Sequence, residues 1–416
     1  MIDIYKKRRE KLINEIKDHS MVLLFSGEHL IATSDQNYPF IINKNFFYLT
    51  GLDVSEATLL LVKIDQEIYE YLFIEEFNEL REKWTGKMLR PNEATEISGI
   101  RNILYSSQID SKIDELIATK SSYGEVNHVY IDHKHKFLCA SQTHEELVTY
   151  LKRKGKKGLE IIDVYPLLIR QRMVKDDHEL ELIKKSIKLT NNALKMVLDN
   201  LRPGLHEYQI RAMFEYVIRG KNAEIAFDTI VASGPNATIL HHVDLSNRLR
   251  DGQLVLLDCG ASIDKYKADI SRTYPVNGVF NPLQKQIYEI VLAANKAVIN
   301  FIRPGRTIAE LQAFTQEFFK ARLEEEKLLK EGEEVKQYYY HNVSHHLGLD
   351  THDPALHDIP LEEGNVITVE PGLYFAKYGI GIRIEDDILV TKNGATNLSA
   401  EIKKEINEIE TLIAKK

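Results

Sequence analysis

Four carboxylates stand out by their spacing. Asp258 and Asp269 lie eleven positions apart, and Glu370 and Glu385 lie fifteen apart. Short connections containing Gly260, or Gly379 and Gly381, join the members of each pair. On adjacent antiparallel strands such spacing can aim both carboxylates of a pair at one spot. Four carboxylates in a small volume repel one another and hold protons more tightly than usual unless cations neutralise them. Two divalent ions would do so, with carboxylates shared between them. Imidazoles are dense nearby: His341, His345, His346 and His352 form one cluster, and His241-His242 precede Asp258. An oxygen-rich donor set with one or two imidazoles favours Mn(II) or Co(II) over a structural zinc site, which usually carries thiolates. Two such ions can polarise a carbonyl and activate water, and a carboxylate among their ligands can accept the proton.

The elements that must position these residues come in two copies. Residues 251–260 (DGQLVLLDCG) parallel residues 363–372 (EGNVITVEPG): an acidic-Gly turn, an apolar run, a carboxylate, and a glycine two positions on. Bounded apolar runs read as buried strands, and a carboxylate at the end of one needs a partner or a metal. Upstream, residues 193–200 followed by Leu201-Arg202-Pro203-Gly204 parallel residues 294–301 followed by Ile302-Arg303-Pro304-Gly305. Each Pro-Gly ends a helix, and second helices are expected over 206–220 and 308–327. Each half should therefore be helix, helix, then strands bearing carboxylates. Pseudo-two-fold symmetry follows, with helices on one face of a curved, mainly antiparallel sheet.

The first long helix begins at a capping box, Asp176-Asp177-His178-Glu179, just after a boundary between Arg170 and Lys175. Before it, helix-like and strand-like stretches alternate. A helix is expected over 4–16, strands over 21–25 and 128–131, and a hairpin of 57–64 with 68–74 around Asp65-Gln66. The expected fold class is α+β: a smaller α/β domain over 1–172 without a catalytic cluster, then a catalytic domain over 173–416.

Composition excludes several classes. A chain of 416 residues exceeds one ordinary core. Its net charge of -8 and pI near 6.0 argue against a general nucleic-acid binder. No stretch approaches the ~20 apolar residues of a membrane span, and the first twenty residues lack the apolar core of a signal peptide. Two cysteines, Cys139 and Cys259, are too few for a disulfide framework and fit a reducing cytoplasm. Plainer readings exist residue by residue. A single Asp at a strand end is usually a turn former, and His178, His206 and His357 fit solvated or capping positions. Arg383 and Glu385, two apart on a strand, point the same way and fit a simple ion pair. Trp84, the only tryptophan, reads on composition alone as a core aromatic. None of these readings explains the whole set.

At these residues the chain resembles the pita-bread-fold metallopeptidases, the family of methionine aminopeptidase, prolidase, Xaa-Pro aminopeptidase and creatinase. The order Asp258, Asp269, His345, Glu370, Glu385 is similar to that family's dinuclear metal set. The resemblance implies that Asp269 and Glu385 bridge two divalent ions, here Mn(II). Asp258 would complete one ion, His345 and Glu370 the other, and Glu370 would also be the general base. The likeness is greatest to the Xaa-Pro aminopeptidase branch and spans nearly the whole chain. Tyr48-Leu49-Thr50-Gly51-Leu52 is similar to the N-terminal domain of that enzyme and of prolidase, and His341-x3-His345-x6-His352-Asp353 to the proline-specific branch.

That likeness implies that His241 and His352 line the substrate site and stabilise the tetrahedral intermediate. His341 and Tyr374 become residues that either line the pocket or support the ligands from behind, and Arg383 braces the metal carboxylates. Trp84 becomes a substrate contact offered to a neighbouring subunit of a homodimer or homotetramer. The implied function is a cytoplasmic exopeptidase cleaving between an N-terminal residue and a penultimate proline. The tertiary amide before proline has no N–H, so a dedicated pocket makes chemical sense. The nearest alternative is an Xaa-Pro dipeptidase; a non-catalytic peptide-binding module of the same fold would have lost ligands. Asn342, His346 and Pro354-Ala355 depart from the family pattern and bear on substrate preference more than on metal binding.

Overall fold

A computed structural model describes residues 2–118, 123–132, 141–154, 158–356 and 359–414; Cys139 and His357 lie outside the described residues. The chain divides into two units, residues 1–171 and 172–416. In the first, six strands form one mixed sheet. Their order is Asn102–Tyr105, Glu67–Ile74, Thr58–Ile64, Ser20–Phe25, His128–Ile131, Glu160–Asp163. The strand Ser20–Phe25 (SMVLLF) is buried along its whole length, as its unbroken apolar run requires. Thr58–Ile64 and Glu67–Ile74 form the expected hairpin. Asp65 and Gln66 turn it with φ of 50° and 68°, the positive pair that a two-residue turn of this twist needs. Residues 46–49 lie in a helix, Lys44–Thr50, capped by the Asn43 side chain and ended by Gly51 at φ 72°. Trp84, on the helix Glu79–Thr85, is 79% exposed, so it is not a core residue of its own chain.

The second unit repeats one plan. The helix Asp177–Asn200 starts at the expected capping box, with Asp176 Oδ1 accepting from Glu179 N and Glu179 Oε2 from Asp176 N. It buries the stripe of Leu182, Ile183, Leu194 and Val197. Gly204 at φ 95° turns the chain into the helix Glu207–Arg219. In the second half, Asn281 and Gln284 cap the helix Pro282–Phe301, Gly305 at φ 88° follows, and Thr307 with Glu310 caps the helix Ile308–Glu325.

The strands repeat as well. Leu254–Cys259 pairs antiparallel with Ile270–Pro275, and between them a small hairpin, Ala261–Ile263 with Tyr266–Lys267, folds out. Val366–Val369 pairs antiparallel with Asp386–Thr391 around the hairpin Gly372–Phe375 with Ile380–Arg383. The glycine copied in both halves has a steric reason. A Cβ on Gly260 would sit 1.9 Å from Ala268 O, and one on Gly372 would sit 2.5 Å from the Tyr374 hydroxyl. Each half therefore needs a bare backbone where its inserted hairpin leaves the main strand.

Candidate metal centre

This plan delivers four carboxylates to one place. Asp258 sits on Leu254–Cys259 opposite Ser271, and Asp269 immediately precedes the partner strand. Glu370 follows Val366–Val369, and Glu385 immediately precedes Asp386–Thr391. The halves meet through Glu385 N donating to Ser271 O at 3.0 Å and Asp269 N donating to Asp387 Oδ2 at 3.2 Å. His345 joins from the second half, its Nε2 3.4 Å from Asp269 Oδ2 and 3.5 Å from Glu370 Oε1. One ligand atom from each of Asp269, His345 and Glu385 lies within 4.8 Å of the others. His345 Nδ1 bonds His346 O at 3.0 Å, so Nδ1 carries a proton and Nε2 is the nitrogen that faces the carboxylates.

The electrostatics call for cations. Burial, then repulsion from Asp258, pushes the Asp269 carboxyl well above the usual carboxylate range. Burial, then Asp269 and Glu370, does the same to Glu385. Burial raises Glu370 to about 7, against partial relief from His345 and Arg383. Asp258 Oδ1 is buried and has no hydrogen-bond partner, an arrangement that native interiors rarely tolerate. Hard oxygen donors, one imidazole and an orphaned carboxylate oxygen fit divalent cations. A second His-Asp group, Asp18, His19 and Asp65, lies at the surface of the first unit, where Asp65 is 78% exposed.

Around the carboxylates runs a bracing network. Arg383 donates Nη2 to Asp258 Oδ2 at 2.6 Å, Nη1 to the Tyr374 hydroxyl at 3.0 Å and Nε to Ser271 Oγ at 2.8 Å. The Tyr374 hydroxyl meets His341 Nε2 at 2.8 Å, and Ser271 Oγ donates to Glu385 Oε2 at 2.7 Å. Arg383 thus reaches Asp258 in the other half directly and Glu385 only through Ser271, which replaces the simple Arg383–Glu385 ion pair. Burial, then Arg383, lowers His341 to about 3, so it is neutral in the fold. Burial and His345 lower His352 as well, and the rings of His345 and His352 meet edge-to-face at 4.4 Å. His241 and His242 both line the cavity, and His242 is held there by Glu207 at 3.1 Å. Ser271 escaped sequence reasoning. Its signal was period two: it shares a strand face with Asp269.

A cavity of about 500 Å³ opens on all five metal-ligand candidates, with His241, His341, His352 and Arg383 in its walls. Trp84 belongs to the other unit. Buried carboxylates around an imidazole, reachable by a small substrate and built on a duplicated α+β frame, define a metal-dependent hydrolase.

Comparisons with known proteins agree. The model of metallopeptidase family M24 matches residues 181–392, and that of the aminopeptidase P N-terminal domain matches residues 5–124. The Xaa-Pro aminopeptidase of Escherichia coli (strain K12) is 31% identical over 98% of this chain and 97% of its own. A Bacillus anthracis structure assigned to aminopeptidase P is 39% identical with a TM-score of 0.95, covering 100% of this chain and 98% of that one. The structure of Escherichia coli aminopeptidase P with the inhibitor Pro-Leu is 30% identical with a TM-score of 0.90, at the same coverage. The chain belongs to metallopeptidase family M24, among the Xaa-Pro aminopeptidases. Its second unit has the pita-bread fold, and it is a metallo-aminopeptidase, a hydrolase acting on peptides. Among the described residues no helix is long and apolar enough to cross a membrane.

Proposed function

We propose that this chain removes the N-terminal residue from peptides whose second residue is proline, using two Mn(II) ions. Asp258, Asp269, His345, Glu370 and Glu385 would hold the ions, with Asp269 and Glu385 shared between them. The observation that carries this is the convergence of these five residues on one cavity, where Asp258 Oδ1 is buried without a partner. When bound, the ions supply Lewis-acid polarisation of the scissile carbonyl and an acidified water.

The chain's own residues do the rest. Glu370 is the general base: its carboxylate, at the wall of the cavity, would accept the proton of the attacking water and return it to the leaving amine. His241 and His352, in the cavity wall, donate hydrogen bonds to the oxygen on which negative charge develops. Arg383 fixes Asp258 directly and, through Ser271, Glu385. Neutral His341, 3.8 Å from Glu370 in the cavity wall, orients the peptide, and the buried Tyr374 hydroxyl holds its ring from behind. Trp84, exposed on its own unit, contacts the substrate bound by another subunit of a homodimer or homotetramer. The Pro-Leu inhibitor of the Escherichia coli relative supports a proline-accepting pocket. Cysteine usage supports a cytoplasmic location.

The test is Mn(II)-dependent release of arginine from Arg-Pro-Pro, with Arg-Pro as the competing dipeptide substrate. Glu370→Ala and Asp258→Ala should each lose at least ~100-fold in kcat/KM. Full activity in either variant, or a wild type that cleaves only Arg-Pro, refutes the proposal.

A further inference from the structure

Twice in this unit a cavity residue is followed directly by an aspartate that turns away from the cavity. Asp386 follows Glu385, and Asp353 follows His352. Each is clamped by one arginine and one lysine. Asp386 meets Arg272 Nη2 at 2.7 Å and, on its other oxygen, Lys404 Nζ. Asp353 Oδ1 meets Arg172 Nη2 at 2.6 Å, and Oδ2 meets Lys175 Nζ at 3.1 Å. The side chains of Asp353 and Lys175 are each 1% exposed.

The Asp353 clamp reaches the metal centre through a single carbonyl. His346 O accepts Asp353 N–H at 2.9 Å and His345 Nδ1–H at 3.0 Å. The second of these bonds selects the tautomer that leaves His345 Nε2 free to bind a cation. His352, one residue before Asp353, is thereby carried to the edge of the His345 ring. The anchor is itself fixed. Lys175 N donates to Gly364 O at 2.9 Å, and Val174 bridges Asn365 at the start of the second-half strands. Gly348 is shaped around it, since a Cβ there would lie 2.6 Å from Asp353 Oδ2 and 3.1 Å from Lys175 Cε. Arg172 also meets Asp350 at 2.9 Å, so among the described residues two cations face two carboxylates.

Stability alone does not account for this clamp. Desolvation largely offsets the attraction within a buried ion pair, and apolar residues of similar size often serve as well. What apolar residues cannot do is hold one backbone register by directed bonds at both carboxylate oxygens. We propose that Asp353, held by Lys175 and Arg172, is a positioning residue that sets the His345 imidazole for metal binding and places His352 beside it. The inference rests on reading His345 as a metal ligand.

The test is the double variant Lys175→Met/Asp353→Leu in the full chain, which removes one cation and one anion and leaves Arg172 paired with Asp350. Two readouts accompany activity on Arg-Pro-Pro. One is Mn(II) affinity, from the free-ion electron paramagnetic resonance signal. The other is the His345 tautomer in metal-free protein, from nitrogen-15 histidine spectra assigned against His345→Gln. The double variant should fold, bind Mn(II) roughly 10–100-fold more weakly, and lose the single Nδ1–H tautomer of His345. Wild-type affinity with an unchanged tautomer overturns the proposal. So does failure of the double variant to fold, because the clamp would then be an element of stability. A wild type that binds no Mn(II) would instead refute the metal-site reading, and the tautomer would still judge the clamp.

Discussion

Removing the metal should make this protein lose stability as pH rises, and the structure sets the scale. In the metal-free fold, burial raises Glu370 from the usual 4.5 to about 7, and Asp269 and Glu385 shift the same way. A carboxyl whose folded value is raised favours the fold fully below its unfolded value. That advantage is lost as pH climbs toward the folded value, because the unfolded chain ionises first. For Glu370 alone the loss approaches about 1.4 kcal/mol per pH unit between those two values, and comes to about 2 kcal/mol between pH 5 and 7. Other groups titrate there too. His341 and His346, lowered to about 3 by burial, penalise the fold as pH falls below the usual 6.5. Neither belongs to the proposed ligand set, so their effect should cancel when metal-loaded and metal-free protein are compared at each pH.

The measurement is therefore the difference in melting temperature between Mn(II)-loaded and chelator-stripped protein at fixed free metal, at pH 5, 6 and 7. A loaded site has already given up those protons, so the difference should widen with pH. At 2–4 °C per kcal/mol for a domain of this size, Glu370 alone predicts roughly 4–8 °C of widening, and Asp269 and Glu385 add to it. Parallel curves would refute the reasoning, because cations would then not be replacing protons on these carboxylates.

Other outcomes follow from single contacts. Ser271→Ala removes the hydroxyl joining Arg383 Nε to Glu385 Oε2 and should cost roughly 10–100-fold in Mn(II) affinity or activity, read by metal titration beside kcat/KM. Gly260→Ala forces a Cβ to within 1.9 Å of Ala268 O; thermal denaturation should show a loss of at least about 1–3 kcal/mol, with Mn(II) binding weakened. Trp84→Ala should leave the melting temperature unchanged, since the side chain is 79% exposed, while raising KM for Arg-Pro-Pro; an unchanged KM removes Trp84 from the substrate site.

What could be read from the sequence was whatever the chain encodes over short range. The four carboxylates were visible because each stands at the end of an apolar run, and the two runs are copies. The helix starts were visible because Asp176 with Glu179 forms a cap within four residues. Partners across the fold were not. Arg383 sits two positions from Glu385, which suggests a pair between them, yet its guanidinium crosses to Asp258, 125 positions away. Lys175 and Asp353 are 178 positions apart, and nothing local in either segment announces the other. Trp84 was ambiguous for a different reason: a large aromatic is usually buried, and exposure belongs to the surface of the folded unit rather than to its own neighbours in sequence.

The copies also explain why neither half suffices. Asp269 and Glu385 are equivalent in the repeat, and so are the residues two positions on, Ser271 and Asp387. Each of that second pair serves the opposite half. Ser271 gives its hydroxyl to Glu385 Oε2 and its carbonyl to Glu385 N, while the Asp387 carboxylate accepts Asp269 N. Each half thus supplies one buried carboxylate at the start of a strand and braces the other's. The asymmetry lies in what was added: His345 and Arg383 come only from the second half, and Arg383 returns to hold Asp258 of the first. A site cross-braced in this way exists only when both halves are packed together. Metal binding should therefore be lost in one step with the unfolding of this unit, and a transition in which one half melts while Mn(II) stays bound would contradict that coupling.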